Sequence, residues 1–222
     1  MTKVLIVAPH ADDESLGCGG TILRHISEGD EVHWLLVTGM SEASGFTENQ
    51  IKAREEEIIQ VHARYGLAER YELYLTPARL ETLPKGEIVN AISTIIKRVE
   101  PEIVYTVYRN DAHSDHEIVF DAVMSSTKSF RYPFIKRVLV YETISETDFG
   151  MKPEDGGFRP NVFNNISDFL EEKLNILDIF ESEMGDFPFP RSRKVLTALS
   201  QLRGAQSNCE AAEAFMLIKE IN

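Results

Sequence analysis

The chain has 222 residues, 43% of them hydrophobic, which is enough for one α/β domain with a sizeable core. Its formal net charge of −13 disfavours nucleic acid as a partner, because nucleic-acid-binding proteins usually carry a basic face. The two cysteines, Cys18 and Cys209, form no CxxC pair, which argues against a thiolate zinc site or a disulfide framework.

Five apolar segments of strand length alternate with helical patterns along most of the chain. The predicted strands cover residues 4–7, 32–37, 71–75, 103–107 and 138–141. The predicted helices cover residues 15–27, 47–65, 88–99 and 114–126, and three of them start at an N-cap residue, Ser15, Thr47 or Ser114. This alternation is typical of βαβ units with right-handed crossovers. We therefore expect a Rossmann-like α/β fold, with a mostly parallel sheet and helices on both faces.

The sequence changes character after about residue 143. A polar loop containing glycine and proline covers residues 148–160, and two or three further helices follow. Since we find no repeats, we expect a single domain over residues 1–222 with a helical C-terminal cap. The sequence shows neither a signal-peptide pattern nor an apolar run of the roughly 20 residues that span a membrane, so we expect a cytoplasmic protein.

A histidine and three acidic residues follow the first predicted strand. They are His10, Asp12, Asp13 and Glu14. Open α/β sheets bind ligands beyond the carboxyl ends of their strands. Because so many carboxylates are costly to desolvate without a cation, the cluster indicates a metal site. The alternative is a solvent-exposed turn that caps the next helix.

A second cluster follows the fourth predicted strand. It comprises Asp111, His113, Asp115 and His116. Two histidines three residues apart and flanked by acids suit a metal ligand together with a catalytic partner or a residue that orients the ligand. The alternative is a pair of capping or surface histidines. Since both clusters fall at strand carboxyl ends, we expect one joint site, in which a His/His/Asp ligand set would leave coordination positions open for water and substrate.

With these two motifs in this order, the sequence resembles the PIG-L/LmbE-like family of N-acetylglucosaminyl deacetylases. Residues 9–14 are similar to the family's first motif, and residues 113–116 are similar to its second. Arg54 with Glu57 matches a family Arg-x-x-Glu pattern. The tail adds similarity in three short segments, residues 187–192, 203–204 and 211–215. The resemblance therefore spans nearly the whole chain.

The resemblance implies a zinc-dependent hydrolase that removes the acetyl group from an N-acetylglucosamine-type amino sugar, a small-molecule partner. Fe²⁺ or another divalent ion is the alternative cofactor. The implied metal ligands are His10, Asp13 and His116. The resemblance also implies that Asp12 is the general base, that His113 stabilises the oxyanion and that Arg54 helps to hold the sugar. Residues 76–79 lack an acid that many relatives use for sugar hydroxyls, so the identity of the substrate stays open.

Further expectations concern the second cluster. We expect Asp111 and Asp115 to contact the histidines, to raise the pKa of His113 and so to favour its imidazolium form. If Ser114 is the N-cap, His113 precedes the helix and can point across the site. Arg109 lies just before the cluster, where it either meets an acidic substrate or pairs with Asp111.

Three alternative functions stay open. A metal-dependent deacylase could act on a non-sugar amide. His10, Asp12 and His116 could form the two-His-one-carboxylate triad of a non-haem iron oxygenase, although such enzymes usually have β-barrel-like folds. The non-enzymatic alternative is a Rossmann-like module that binds a nucleotide or a metal. A need for oxygen and 2-oxoglutarate would identify the oxygenase, and acetate release would distinguish a deacetylase from the non-enzymatic module.

Overall fold

The computed structural model describes residues 1–150, 152 and 156–222. The strands are β1 (Lys3–Ala8), β2 (Glu31–Thr38), β3 (Glu69–Leu75), β4 (Ile103–Val107), β5 (Arg137–Tyr141), β6 (Val162–Asn165) and β7 (Ala212–Glu220). The helices are α1 (Asp13–Ser27), α2 (Glu48–Tyr65), α3 (Lys85–Val99), α4 (Ser114–Ser125), α5 (Leu170–Leu177) and α6 (Arg193–Ser207). Part of the loop predicted over residues 148–160, namely residues 151 and 153–155, lies outside the described residues.

The seven strands found among the described residues form one sheet, in the order β3-β2-β1-β4-β5-β7-β6. The first five strands of this order pair in parallel, whereas β7 pairs antiparallel with both β5 and β6. The predicted α/β fold with a mostly parallel sheet is therefore confirmed. The chain runs from β1 outward to β3 and then returns to the other side of β1 as β4. The carboxyl ends of β1 and β4 thus form the switch point at which α/β sheets bind ligands.

Both faces of the sheet are covered by helices, and β1 shows how the sequence specifies this. Val4 and Ile6 pack in a core that includes residues of α1, α2 and α5. Leu5 and Val7 pack on the opposite face, in a core with residues of α3 and α4. Because successive side chains of a strand point to opposite faces, a strand buried on both sides needs the continuous apolar run seen in the sequence.

Capping residues set the bounds of the helices next to the site. Thr47 and Gln50 form a full capping box, and Gly66 ends α2 with φ of 77°, which confirms the predicted bounds of this helix. Two other predicted caps were wrong. Helix α1 begins at Asp13, upstream of Ser15, and the N-cap of α4 is His113, whose Nδ1 accepts the amide of Asp115.

The C-terminal part differs from the predicted helical cap. Helices α5 and α6 are present, but β6 and β7 also extend the sheet. Residues 212–220 include good helix formers, yet pairing with β5 and β6 outweighs that local preference. Among the described residues, no helix is long and apolar enough to cross a membrane.

Candidate active site

The loop between β1 and α1 has a strained backbone at Asp12, with φ of 152° and ψ of −29°. The carbonyl of Ala11 accepts a hydrogen bond from Nη1 of Arg54 at 2.7 Å. The amide of Asp12 donates to the Glu14 carboxylate at 3.2 Å. Strain of this kind persists only where neighbouring groups hold it. Arg54 and Glu14 therefore fix the loop on which His10, Asp12 and Asp13 stand.

Three side chains from the two sequence clusters meet at the switch point. His10, Asp13 and His116 each offer a ligand atom within 4.8 Å of the others. One carboxylate oxygen, Oδ2 of Asp13, lies 3.2 Å from Nδ1 of His10 and 3.3 Å from Nε2 of His116. Asp13 and His116 are buried, and His10 is partly exposed. The fold thus joins residues that are more than 100 positions apart into one His/Asp/His cluster.

Each histidine of this cluster is held from behind by a carboxylate. Nδ1 of His116 lies 2.7 Å from Oδ2 of Asp111. Oδ1 of the same carboxylate accepts a hydrogen bond from the Thr147 hydroxyl at 2.7 Å. Nε2 of His10 lies 3.0 Å from Oδ2 of Asp115. Hydrogen bonds of this kind fix the ring and leave the other nitrogen free for a metal.

The charges around the cluster indicate that it accommodates a cation. Burial lowers the pKa of His116, but Asp13 and Asp111 outweigh burial and raise it to about 10. Burial likewise lowers the pKa of His10, and Asp115 with Asp13 raise it to about 9. The carboxylates therefore favour positive charge at this point, which is what a divalent metal would supply.

A nitrogen that faces only the cluster supports the fit of a metal. Nε2 of His116 is buried, and among the described residues its one polar neighbour is Oδ2 of Asp13 at 3.3 Å, with no hydrogen bond formed. A second trio, His10, His113 and Asp115, is also close enough to hold an ion. Its carboxylate, however, already accepts the amides of Ala78 and Leu80 and contacts His10. The trio with His116 is thus the better candidate.

Asp12 lies beside this trio and is buried. Burial and the charges of Asp13 and Glu183 raise the pKa of Asp12 to about 7, although Arg191 lowers it. Nη1 of Arg191 donates to Oδ2 of Asp12 at 3.1 Å. A carboxylate whose pKa is near neutrality suits proton transfer at neutral pH.

The expectation that His113 carries a raised pKa was wrong. Burial and the nearby charge of His10 lower its pKa, and Asp115 only partly opposes them. Because Nδ1 of His113 accepts the amide of Asp115 at 3.1 Å, the proton of the neutral ring resides on Nε2. The ring lines the cavity, so a neutral N–H remains available there as a donor.

The two predicted substrate-binding arginines differ in position. Arg54 borders the cavity, but its guanidinium is engaged by the Ala11 carbonyl, by Glu57 at 3.0 Å and by Glu183. Arg109 does not line the cavity. It pairs with Asp121 at 2.8 Å and with Glu117 at 2.7 Å rather than with Asp111.

The structure also brings in three residues for which the sequence analysis predicts no role. Glu183 and Arg191 follow α5, and Glu146 follows β5; all three line the cavity. The one signal in the sequence was the similarity of residues 187–192 to the tail of the family. That similarity includes Arg191 but does not indicate its partner.

These residues enclose a cavity of about 300 Å³ at the carboxyl edge of the sheet. Its walls combine the histidines and acids above with apolar side chains from the neighbouring loops. The latter include Met40, Phe46, Ile51, Tyr74 and Pro77. A cavity of this size, with a few converging polar groups, suits a small molecule.

Comparison with known proteins gives a consistent assignment. The family model described as GlcNAc-PI de-N-acetylase, PIG-L, matches residues 5–127, more than half of the chain. A probable N-acetyl-alpha-D-glucosaminyl L-malate deacetylase 2 from Bacillus anthracis is 27% identical over 81% of this chain and 80% of its own length. The diacetylchitobiose deacetylase of Thermococcus kodakarensis is 26% identical over 99% of this chain and 84% of its own length.

The fold alone does not decide the reaction. The 4-carboxy-2-hydroxymuconate hydratase GalB of Pseudomonas putida KT2440 has a similar structure, with a TM-score of 0.75. It covers 100% of this chain and 98% of its own at 18% identity, so the likeness concerns the fold only.

Proposed function

Because the chain belongs to the PIG-L family of hydrolytic de-N-acetylases, we propose that it is a zinc-dependent hydrolase of an N-acetylglucosamine-type amino sugar or sugar conjugate. The products are acetate and a free amine. The observation that carries this proposal is the cluster of His10, Asp13 and His116, in which the buried Nε2 of His116 has no other partner among the described residues.

In this proposal His10, Asp13 and His116 hold the metal, and Asp111 and Asp115 orient the two histidines. Zn²⁺ fits the nitrogen and carboxylate donors. Fe²⁺ or another divalent ion shares some of these ligand preferences and is the alternative. When bound, the metal polarises the acetyl carbonyl and makes water a better nucleophile near neutral pH.

Asp12 acts as the general base. It accepts the proton of the attacking water, since it lies beside the cluster without belonging to it and its pKa is about 7. The same carboxyl group can then return the proton to the leaving amine. Arg191 holds the Asp12 carboxylate through its hydrogen bond of 3.1 Å.

His113 stabilises the negative charge that develops on the acetyl oxygen. The amide of Asp115 occupies Nδ1, which leaves Nε2–H as the donor of a ring that lines the cavity. A fixed donor costs no reorganisation when the charge appears, and a neutral imidazole is sufficient for this role. Arg54 braces the Asp12 loop, so any contact it makes with the sugar is secondary to that bracing.

The proposal is tested by acetate release from zinc-loaded protein. N-acetylglucosamine and its glycosides are compared with non-sugar N-acetyl amides such as N-acetyl amino acids. Turnover of the sugars supports the proposal. Turnover of the amino acids alone would favour the alternative, a deacylase of non-sugar amides, and no acetate from any compound would contradict both. The variant His62→Ala, whose histidine lies on α2 outside the cavity, serves as the control.

A further inference from the structure

The cavity extends from the candidate active site toward the edge strand β3. His10 and Asp12 follow β1, Met40 follows β2, and Tyr74 stands near the end of β3, yet all of them line the same cavity. Strands β1 and β3 are separated by two strand spacings, which is about 10 Å. The β3 end of the cavity is therefore too far away to contact the acetamide group itself.

A β-bulge directs Tyr74 into this end of the cavity. Leu36 of β2 is opposite Glu72, but Thr38 is opposite Leu75, so β3 contains one extra residue. Tyr74 stands in the bulge with φ of 52°, a conformation that is unfavourable for a bulky side chain. Bulges next to active sites commonly redirect a side chain. Strain at an edge-strand tyrosine therefore points to a role for the ring rather than for the fold.

The Tyr74 ring is available for contact. The residue is 64% exposed, although it lines the cavity. The neighbouring Gly39 permits this placement, since a Cβ there would lie 3.0 Å from Cδ1 of Tyr74. A large aromatic surface that is half open at the mouth of a polar cavity is suited to covering an apolar face of a ligand.

The charges of this cavity disfavour an anionic ligand. Among the described residues, six carboxylates line it. Glu55 and Glu72 are the two nearest the β3 end, and one oxygen of each pairs with Arg70 of β3 at 2.7 Å. Arg54 and Arg191 are the arginines in the lining, and both already pair with Glu183. Among the described lining residues there is no lysine and no arginine without a carboxylate partner for a phosphate or a carboxylate group.

We propose that Tyr74 is a specificity-determining residue whose ring packs on the C–H face of an uncharged sugar unit, joined to the sugar that carries the acetamide. Arg70 engages Oε1 of Glu55 and of Glu72, and the Oε2 atoms of these two carboxylates accept hydrogen bonds from the hydroxyls of that unit. A sugar ring presents both an apolar C–H face and several hydroxyl donors, which matches an aromatic ring beside carboxylates. The inference rests on the proposed function, and it defines the substrate class as neutral N-acetylated oligosaccharides rather than phosphate or carboxylate conjugates.

The experiment compares three substrates of zinc-loaded protein, the methyl glycoside of N-acetylglucosamine, N,N′-diacetylchitobiose and N-acetylglucosamine 1-phosphate. For wild type we expect kcat/KM to be highest for the disaccharide and lowest for the phosphate. In Tyr74→Ala, the ratio of kcat/KM for the disaccharide to kcat/KM for the methyl glycoside should fall about tenfold, mainly because KM for the disaccharide rises. In Tyr74→Phe, which keeps the ring, the ratio should stay within about twofold of wild type.

Calorimetric binding of the same ligands to Asp12→Asn provides a readout that does not need turnover. The preference for the disaccharide should disappear when Tyr74→Ala is added. Phe130→Ala, which removes an exposed aromatic residue outside the cavity, is the matched control and should leave the preference intact.

The inference is overturned if Tyr74→Ala keeps the wild-type ratio and the wild-type binding preference, or if the 1-phosphate is the best substrate and the tightest ligand. Absence of acetate from every sugar, with a binding preference that depends on Tyr74, would instead contradict the proposed reaction and leave the sugar subsite standing. The two failures are therefore distinguishable.

Discussion

Replacing Arg191 with methionine should impair the base without removing the metal site. Arg191 contacts Asp12 at 3.1 Å and Glu183 at 3.3 Å, and it belongs to neither sequence cluster. Methionine keeps much of the length of the side chain but removes its charge. The variant therefore isolates the electrostatic contribution of the guanidinium to the Asp12 carboxylate.

The expected magnitude follows from burial. Asp12 is 4% exposed and lies near the carboxylates of Asp13 and Glu183. Breaking a buried ion pair by removing one partner costs about 3–5 kcal/mol. The Arg191 side chain is 23% exposed, so the lower end of this range applies. Since one pKa unit corresponds to about 1.36 kcal/mol, a cost of about 3 kcal/mol should raise the pKa of Asp12 by about two units.

The direction of the pH effect is fixed by the role of the base. Arg191 lowers the pKa of Asp12, so its removal raises that pKa and leaves more of the carboxyl group protonated at neutral pH. Only the ionised form accepts a proton. The acid limb of the profile of kcat/KM against pH should therefore move upward, with a loss of about 10–100-fold at pH 7 that recovers at higher pH.

The assay is the pH profile of acetate release, together with zinc content. Arg191→Lys keeps the charge and should restore part of the activity. Arg193→Met, which removes an arginine paired with Glu171 and Asp178 outside the cavity, should leave the profile unchanged. A wild-type profile in Arg191→Met would refute the reasoning. A loss independent of pH and accompanied by loss of zinc would show that Arg191 supports the fold instead.

Three other substitutions test individual roles. Asp12→Asn should keep zinc and the fold but lower kcat by about 10²–10⁴-fold, and near-normal activity would mean that another group activates water. His113→Ala should keep zinc and lower kcat by about 10²–10³-fold with little change in KM, whereas loss of zinc would identify His113 as a ligand. Asp111→Asn should weaken zinc affinity by about 10–100-fold, because His116 loses its orienting carboxylate, and unchanged affinity in a zinc titration would contradict that role.

Much of the fold could be predicted because its signals are local. The apolar run of β1 and the capping box of α2 each lie within a few residues, and both elements formed as predicted. The residues of β7 have no such signal, since Ala212 and Glu213 favour helix and the strand exists through its long-range pairing with β5 and β6.

The candidate site likewise has a part that could be predicted from local sequence signals and a part that depends on long-range packing. The first and second clusters could be placed together because parallel strands end at one edge of the sheet. The pKa of His113 could not be predicted, since it depends on burial and on the distance to His10, which only the packed structure provides. The partnership of Arg191 with Asp12 spans 179 positions and has no periodic pattern that would reveal it.

Zinc binding by the metal-free protein tests the central claim most directly. We predict that calorimetric titration of the chelator-treated wild type gives one zinc ion per chain, that acetate release returns in proportion to the zinc bound, and that His116→Ala loses both while His62→Ala retains both. A wild-type protein that binds no zinc or other divalent metal, or a His116→Ala variant with full zinc occupancy, would contradict the assignment of His10, Asp13 and His116 as the metal site.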